Sequence, residues 1–350
     1  MKSTLKFLAL LIVVALISFG ISIWISKKKN SADVAVPRFN EPTEYRANTK
    51  GSQKISTQEA SFPFLVAAKN EVRYYSPRSG EIKAINVLKP TSATLVATIK
   101  PSATAVTWSP DGNEVIATYS TGKISTNLTG GTSTTLAKTI HNPQFSKISG
   151  DVAYVYFNDT SGEGNISVAD SKFKAFKNIL KTRLKNWEIQ WNSERRLSLI
   201  ATSPITSLQT LFTLDTKDQS LKNLIENQRD LKVLWSPDGT KVLLSRWTRQ
   251  GTKLFLLDPK SNAQQDLKLT GRADKCAWAS DSAKLYCAIA EKGDDSFVKI
   301  NTSDLETEKI YDAVESGFVD ARNMIYSAAT QSLIFKNFKD GRLYTISLQK

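Results

Sequence analysis

The chain has 350 residues with 47 Lys and Arg against 33 Asp and Glu, a net charge of +14, a single histidine (His141) and two cysteines. A Ser-His-Asp triad could therefore form only around His141, and no Gly-x-Ser-x-Gly turn supplies its nucleophile. The sequence also lacks His-Glu-x-x-His, Cys-x-x-Cys, phosphate-loop and calcium-loop patterns. It therefore predicts no catalytic residues, no metal site and no cofactor.

The amino-terminal region contains an apolar run over residues 5–25, in which Lys6 is the one charged residue. A run of this length crosses a hydrocarbon core of about 30 Å, so we predict a short tail at residues 1–4 and one transmembrane helix at residues 5–25. Lys2 and Lys6 resemble the start of a secretory signal, but the apolar run continues to Ile25, which favours an uncleaved anchor over a removed signal. The very short tail favours an extracytoplasmic location for the rest of the chain, whereas nearly equal numbers of lysines flank the run and leave a cytoplasm-facing protein open.

Residues 26–61 differ from the rest of the chain in composition. They are rich in Lys, Asn, Ser and Thr, contain Pro37 and Pro42, and show no apolar periodicity. Such a segment behaves as a flexible tether. We predict a linker at residues 26–61 that joins the membrane anchor to a globular part at residues 62–350.

A five-residue segment recurs in the globular part: Trp108-Ser109-Pro110-Asp111-Gly112 returns at residues 235–239 and, with changes, at residues 278–282. Ser-Pro-Asp-Gly fits a type I turn, because proline fixes φ at the second position and glycine suits the exit. An aromatic anchor followed by a turn and an apolar strand occurs seven times, 37 to 46 residues apart: Phe64, Trp108, Phe145, Trp191, Trp235, Trp278 and Phe318. A period of about 40–45 residues is typical of four-stranded propeller blades. The fold class predicted is all-β, a seven-bladed β-propeller of four-stranded blades whose anchors fill the space between blades.

The two ends of the propeller region each resemble a complete blade. Strands are predicted at residues 64–68, 72–76, 82–88 and 95–99 in blade one, and at 315–319, 323–328, 333–337 and 343–348 in blade seven. Blade seven would then close the ring by packing on blade one, although a strand near residues 54–57 could instead cross over and latch it.

The first strands of a propeller line its central channel, and several residues placed three positions before the anchors are polar or charged: Asn142, Glu188, Lys232, Lys275 and Glu315. Such side chains either hydrate a water-filled channel or form a ring of mixed charge that orients a peptide or a small polar ligand. They are our candidate binding residues at the channel mouth.

The two cysteines both fall in the predicted sixth blade. Cys276 lies two residues before Trp278, and a hairpin centred on Asp281 and Ser282 places Cys287 directly opposite Cys276. Directly opposed residues lie close to the Cα separation of about 4.4–6.8 Å that is usual for a disulfide. A disulfide and two buried free thiols both fit this arrangement, and a disulfide would indicate the oxidising side of the membrane.

The propeller region is itself basic, with 38 Lys and Arg against 29 Asp and Glu. This excess either keeps the surface hydrated or attracts anionic lipid head groups, an anionic envelope polymer or an acidic protein. Nucleic acid is disfavoured, because no nucleic-acid-binding motif occurs. We expect a monomeric ring.

The turns at residues 108–112 and 235–239, with their variants at 145, 191, 278 and 318, resemble the WD-like propeller repeats of the TolB type. These repeats also occur in the propeller domains of prolyl oligopeptidase-like peptidases, and the resemblance covers about residues 62–350. It implies the fold but no single activity, since the same blades serve as scaffolds, gates and partner platforms. No peptidase domain follows the ring, and a membrane segment stands where the Tol protein has a separate domain, so Tol function is not carried over.

These features predict a membrane-anchored, non-enzymatic propeller that acts as an extracytoplasmic binding or scaffolding module of the cell envelope. Its partners would be the membrane and a protein or anionic envelope polymer. One alternative is a carboxylate-dependent glycan-active enzyme with its site at the channel mouth, for which Glu188 and Glu315 are candidates by position. The other alternative is a membrane scaffold that faces the cytoplasm.

Overall fold

The fold is a ring of antiparallel four-stranded sheets. The computed structural model describes residues 52–191, 193–312 and 319–349, and within these ranges 28 strands form seven sheets of four. The predicted all-β, seven-bladed architecture with four-stranded blades is confirmed. The predicted tail and transmembrane helix lie outside the described residues, and no helix of the described part is long and apolar enough to cross a membrane.

Blades one to six each use four consecutive strands, numbered from the inside of the ring outward. Blade one contains β2 (Ser61–Val66), β3 (Glu71–Tyr75), β4 (Glu81–Asn86) and β5 (Ala93–Thr98). Blade two contains β6 (Ala105–Trp108), β7 (Glu114–Tyr119), β8 (Gly122–Asn127) and β9 (Ser133–Thr135). Blade three contains β10 (Ile140–Phe145), β11 (Val152–Asn158), β12 (Glu163–Ala169) and β13 (Phe176–Thr182).

Blade four contains β14 (Trp187–Trp191), β15 (Arg196–Thr202), β16 (Gln209–Asp215) and β17 (Leu221–Gln228). Blade five contains β18 (Lys232–Trp235), β19 (Val242–Thr248), β20 (Gly251–Leu257) and β21 (Gln264–Thr270). Blade six contains β22 (Cys276–Trp278), β23 (Lys284–Glu291), β24 (Asp294–Asn301) and β25 (Thr307–Tyr311). Short 3₁₀ turns occupy Ala67–Lys69 and Ala273–Lys275.

Blade seven combines both ends of the described chain. It contains β26 (Ala321–Ser327), β27 (Ser332–Asn337) and β28 (Arg342–Ser347), and its outermost strand is β1 (Ser52–Lys54), which pairs antiparallel with β28. The amide of Ile55 donates to the carbonyl of Leu343 at 2.8 Å, and the hydroxyl of Ser56 accepts from the amide of Leu343 at 2.8 Å. The ring is therefore latched by a strand that begins within the segment predicted as linker.

The tryptophan anchors occupy equivalent, buried places between blades. Each of three tryptophans lies opposite an aliphatic residue in the first two positions of the second strand: Trp108 opposite Val115, Trp235 opposite Val242 and Trp278 opposite Leu285. Their indole N–H groups donate to the preceding blade, at 2.8 Å to the carbonyl of Phe62, 2.6 Å to the hydroxyl of Ser198 and 3.1 Å to the carbonyl of Leu234, respectively. Each anchor thus joins two blades by burial and by a hydrogen bond.

The register corrects two of the predicted anchors. In blade seven, Tyr326 lies opposite Leu333 as Trp108 lies opposite Val115, so Tyr326 fills the anchor place that the sequence assigned to Phe318. Phe318 lies outside the described residues. The strand predicted as second in blade seven is therefore the innermost strand, because β1 supplies the fourth.

The second correction is in blade one. Leu65 lies opposite Val72 and holds the anchor place, whereas the predicted anchor Phe64 pairs with Arg73 and stacks on Trp108 with ring centroids 5.9 Å apart. Among the other anchors, Phe145 and Trp191 are buried and lie opposite Val152 and Leu197.

Candidate functional site

The innermost strands all begin at one end of the ring, which we call the channel mouth, and four of the five predicted binding residues lie there. Asn142 has a left-handed φ of 47°. Its side-chain amide donates a hydrogen bond to the backbone carbonyl of Trp187 at 2.6 Å and so joins blades three and four. Glu188 and Lys232 form an ion pair at 3.7 Å that joins blades four and five. The fifth residue, Glu315, lies outside the described residues.

Lys275 makes the densest set of charge contacts at the mouth. Its Nζ lies 2.8 Å from Oδ2 of Asp295 and 2.8 Å from Oδ1 of Asp320. Only 3% of the Asp295 side chain is exposed, and the same Oδ2 accepts the backbone amide of Ala321 at 2.6 Å. Because Lys275 starts blade six and Asp320 precedes blade seven, this cluster joins the first strands of two blades. Removing the lysine would leave a buried carboxylate without its counter-charge.

Two arginines continue the charge pattern on either side of Lys275. Arg272 contacts Asp274 at 3.0 Å and Asp230 at 3.0 Å, whereas Arg322 contacts Asp320 at 3.1 Å. Burial raises the pKa of Asp320, but hydrogen bonds from Arg322 and Lys275 outweigh burial and hold that pKa below its ordinary value. Asp320 is therefore ionised at neutral pH and acts as an acceptor.

A cavity of about 450 Å³ opens between these groups. It is lined by Arg272, Asp274, Lys275, Arg322 and Asn323. Three cations and one carboxylate line the space, and each of these cations also pairs with an aspartate, so an anionic ligand here would share them with those aspartates. Its volume lies within the range of about 300–1,000 Å³ that is usual for small-molecule sites.

One exposed aromatic side chain contacts an arginine of this cavity. The guanidinium of Arg322 lies 3.7 Å from the ring centroid of Phe338, whose side chain is 56% exposed. Flat apolar faces next to cations suit a ligand that has both anionic and apolar surfaces.

The sequence identified Lys275 but not its partners. Asp295 lies in β24 and Asp320 directly precedes β26, and neither carries a local motif. The one sequence signal for this site is a pair of mirrored tripeptides, Arg-Ala-Asp at residues 272–274 and Asp-Ala-Arg at residues 320–322. In each tripeptide the arginine forms an ion pair with the aspartate. Their meeting at one cavity depends on the packing of blade six against blade seven.

Blade six is reinforced directly beside Lys275. Cys276 and Cys287 are opposite each other in β22 and β23, with Cα atoms 4.1 Å apart, and form a disulfide. Both side chains are buried. The disulfide ties the start of the innermost strand to its neighbour and so holds the backbone that carries Lys275.

The solitary histidine lies in another part of the mouth, in β10 of blade three. Burial lowers the pKa of His141, and the charges of Lys185 and Lys123 lower it further. His141 is therefore neutral at physiological pH. It belongs to no group of His, Cys, Asp or Glu side chains that could hold a metal ion within the described part of the chain.

The fold is similar to those of several solved propellers. An oligogalacturonate lyase in complex with manganese has a TM-score of 0.65, at 8% identity over 87% of this chain and 95% of that chain. The oligogalacturonate lyase of Vibrio parahaemolyticus has a TM-score of 0.63, at 9% identity over 85% of this chain and 94% of that chain. TolB from Acinetobacter baumannii has a TM-score of 0.44, at 11% identity over 79% of each chain. No family model and no curated protein matches the chain.

These likenesses overturn the prediction of a non-enzymatic envelope module. That prediction treated the lack of a familiar catalytic motif as a lack of catalysis, whereas two lyases share this architecture. The prediction was therefore wrong as the leading interpretation. Identities of 8% and 9% show a shared fold alone, so the activity has to be argued from the residues at the mouth.

Manganese in one of these lyases raises the question of a metal here. Among residues 52–191, 193–312 and 319–349, no three His, Cys, Asp or Glu side chains lie in a group that could hold an ion. The carboxylates beside the cavity are paired with Lys275, Arg272 or Arg322 instead. This donor set does not fit a resident manganese ion, and no step below involves one.

Proposed function

We propose that the protein is a glycan-active enzyme that binds an acidic oligosaccharide in the cavity at the channel mouth. The observation that carries the proposal is the ammonium group of Lys275, fixed between Asp295 and Asp320 at the wall of a cavity that two guanidinium groups also line. A sugar carboxylate that enters this space pairs with Arg272 and Arg322. We also propose that residues 5–25 anchor the protein in a membrane and that the propeller lies on the extracytoplasmic side.

The charges at the mouth favour elimination over hydrolysis. Glycoside hydrolysis requires one carboxylic acid whose raised pKa keeps it protonated for the leaving oxygen. Asp320 has a lowered pKa, and Asp295 is buried against the Lys275 ammonium, so neither suits that role. Elimination instead requires cations that neutralise the carboxylate of a uronic acid and a base for the neighbouring C–H proton, which the cavity supplies.

The proposed reaction uses only side chains that line the cavity. Arg272 and Arg322 neutralise the sugar carboxylate and thereby acidify the adjacent C–H bond. The carboxylate of Asp274 accepts that proton, the electron pair of the C–H bond forms a carbon–carbon double bond, and the C–O bond to the leaving sugar breaks. The leaving oxygen takes a proton from the ammonium group of Lys275. The products are an unsaturated uronate and a shortened oligosaccharide.

The test uses the full-length protein in detergent with oligogalacturonate and with a neutral oligosaccharide of the same length. We expect ultraviolet absorbance from the unsaturated product with oligogalacturonate only. Asp274→Asn should lower kcat about 100-fold or more, as expected when a general base is removed. The control Lys177→Gln, at an exposed site of the outer strand β13, should leave kcat unchanged.

Three results would contradict parts of this proposal. New reducing ends without ultraviolet absorbance would replace elimination by hydrolysis. Full activity in Asp274→Asn would remove Asp274 as the base. No product and no binding with any uronate-containing oligosaccharide would overturn the proposed function.

A further inference from the structure

A second cavity, of about 380 Å³, opens between blades seven and one. Its wall includes the turn between β3 and β4 of blade one and the turn between β27 and β28 of blade seven. Both turns join a second strand to a third strand, so they lie at the channel-mouth end, where the first strands begin. We call this space the serine cavity. It shares no lining residue with the cavity that Arg272, Lys275 and Arg322 line, which we call the mouth cavity.

The lining of the serine cavity is polar, and its charges balance. Two carboxylates and two guanidinium groups line it: Glu59, Asp340, Arg78 and Arg342. The uncharged polar groups are three hydroxyls and one amide: Thr57, Ser76, Ser79 and Gln58. Balanced charge favours neither an anion nor a cation, whereas mixed donors and acceptors suit a ligand whose own groups both donate and accept. The hydroxyl groups of a sugar have this property.

Two side chains of the serine cavity are open to such a ligand. Arg342 donates its backbone amide to the Asp340 carboxylate at 3.1 Å, and its guanidinium has no hydrogen bond or ion pair with any described residue. Ser76 is only 5% exposed, and its Oγ has no hydrogen-bond partner in the part of the chain that the structure describes. A buried hydroxyl without a partner costs free energy. Rotation about χ1 lets this hydroxyl pair with a ligand group that enters the cavity.

One turn of blade seven connects the serine cavity to the mouth cavity. Asp340 and Arg342 in this turn line the serine cavity. Phe338, at the start of the same turn, has the guanidinium of Arg322 3.7 Å from its ring centroid. Its backbone amide donates to the carbonyl of Asp320 at 2.8 Å. The turn therefore contacts the wall of the mouth cavity at one end and forms the wall of the serine cavity at the other.

The two cavities are close enough for one ligand chain to occupy both. Arg322 of the mouth cavity lies opposite Lys336, and Arg342 of the serine cavity lies opposite Asn337, the next residue of β27. The two arginines are thus two strand spacings apart, about 10 Å between their Cα atoms. Phe338 follows Asn337 at the end of β27, and its side chain is 56% exposed. A chain of a few sugar units covers this distance, with the apolar C–H face of one sugar on the phenyl ring.

We infer that the serine cavity is a second sugar subsite, which holds a unit further along the oligosaccharide bound in the mouth cavity. The inference rests on the proposed function for the identity of the ligand. Sugar hydroxyls pair with the Arg342 guanidinium and with the Ser76 hydroxyl. A chain that occupies both cavities makes contacts that a disaccharide does not, so these two residues determine a specificity for longer chains.

Isothermal titration calorimetry of the full-length protein with oligogalacturonates of two, four and six units tests the inference. The protein carries Asp274→Asn so that the ligand stays intact, and chromatography of the recovered ligand verifies its length. The chain of two units occupies the mouth cavity alone. We expect the chain of six units to bind about tenfold more tightly than the chain of two.

Two variants locate the second subsite. Arg342→Gln and Ser76→Ala should each weaken binding of the six-unit chain by about threefold to tenfold and leave binding of the two-unit chain unchanged. The matched control Arg249→Gln, at an exposed position in the turn between β19 and β20 of blade five, should change neither. Because the Ser76 hydroxyl has no partner among the described residues, Ser76→Ala should keep the unfolding temperature of its parent.

The possible results separate this inference from the proposed function. Equal affinities for all three lengths, or unaltered six-unit binding in both variants, would overturn the second subsite and leave the mouth cavity as the binding site. Length-dependent binding that both variants reduce, without an elimination product from the wild type, would support the subsite and overturn the proposed reaction. Absence of binding at every length would overturn both.

Discussion

The aspartates of the repeated turns are held by hydrogen bonds from the turn itself. Asp238 accepts the hydroxyl of Ser236 at 2.6 Å, and the amide and hydroxyl of Thr240 at 3.0 and 2.8 Å. Burial raises the pKa of Asp238, but these hydrogen bonds outweigh it and bring the pKa to about 2, below the ordinary 3.8. A carboxylate whose pKa is lower in the folded protein than in the unfolded chain stabilises the fold at pH values above its unfolded-chain pKa. That stabilisation is lost as the pH falls through the folded-state pKa.

The expected pH dependence follows from that sign. Asp238→Asn should lower the free energy of unfolding at pH 7 by less than about 1 kcal/mol, because Asp238 is exposed. The difference from the wild type should shrink between about pH 4 and pH 2, where the wild-type carboxylate becomes protonated. Denaturant unfolding of both proteins at a series of pH values measures this difference in stability.

A matched control for this variant lies in blade six. Asp281 occupies the same place in the turn, but Ala279 stands where Ser236 donates its hydroxyl. Asp281→Asn should therefore destabilise the protein less than Asp238→Asn at pH 7. A stability difference for Asp238→Asn that stays constant down to pH 2 would refute the linkage.

Single residues of the candidate site could be predicted only where the repeat marks them. Lys275 was identified because it lies three positions before Trp278, and the repeat places that position at the channel. Asp295 and Asp320 lie elsewhere in their blades and meet Lys275 only because blade six packs on blade seven. Tertiary packing of this kind leaves no periodic signal in the sequence.

At the scale of strands, the repeat predicts the fold where its turn chemistry is intact. Gly112 has a φ of +71°, and a Cβ there would lie 2.6 Å from Val66, so the turn requires glycine. Blade seven lacks this chemistry, since Ala328-Ala329-Thr330 follows Tyr326 and Ser327. The anchor there was consequently misplaced at Phe318. Strand β1 was anticipated only as an alternative, because its three residues carry no alternating pattern.

The disulfide of blade six gives a prediction for two paired strands. Cys276 and Cys287 are 11 residues apart in sequence, and closing a loop of this length stabilises a protein by about 2–3 kcal/mol through the unfolded chain. Replacing both cysteines with alanine should lower the free energy of unfolding by about that amount. Denaturant unfolding with and without reductant measures the effect.

The reductant separates the disulfide from the packing of its side chains. Reductant should lower the stability of the wild type toward that of the double variant and leave the double variant unchanged. If reductant left the wild type unchanged after full unfolding and refolding, the disulfide would contribute nothing to stability.

At the scale of the whole molecule, the ring depends on a contact between distant parts of the chain. Antiparallel β1 covers the edge of β28, and Ile55 is buried in the cluster that also contains Ile334 and Leu343 of blade seven. An uncovered β28 would expose its backbone N–H and C=O groups along one edge. The short strand therefore stabilises blade seven, which in turn packs on blade six to form the cavity at the channel mouth.

Two truncations test this closure. Removing residues 1–51 keeps β1 and should leave the unfolding temperature of the ring unchanged. Removing residues 1–57 also deletes β1, Ile55 and the hydroxyl of Ser56 that accepts the buried amide of Leu343. Losing the burial of one isoleucine and one buried hydrogen bond should cost about 3–5 kcal/mol. Thermal unfolding and native-state hydrogen exchange of β28 measure the loss, and equal stability of the two truncations would show that blade seven closes the ring without the latch.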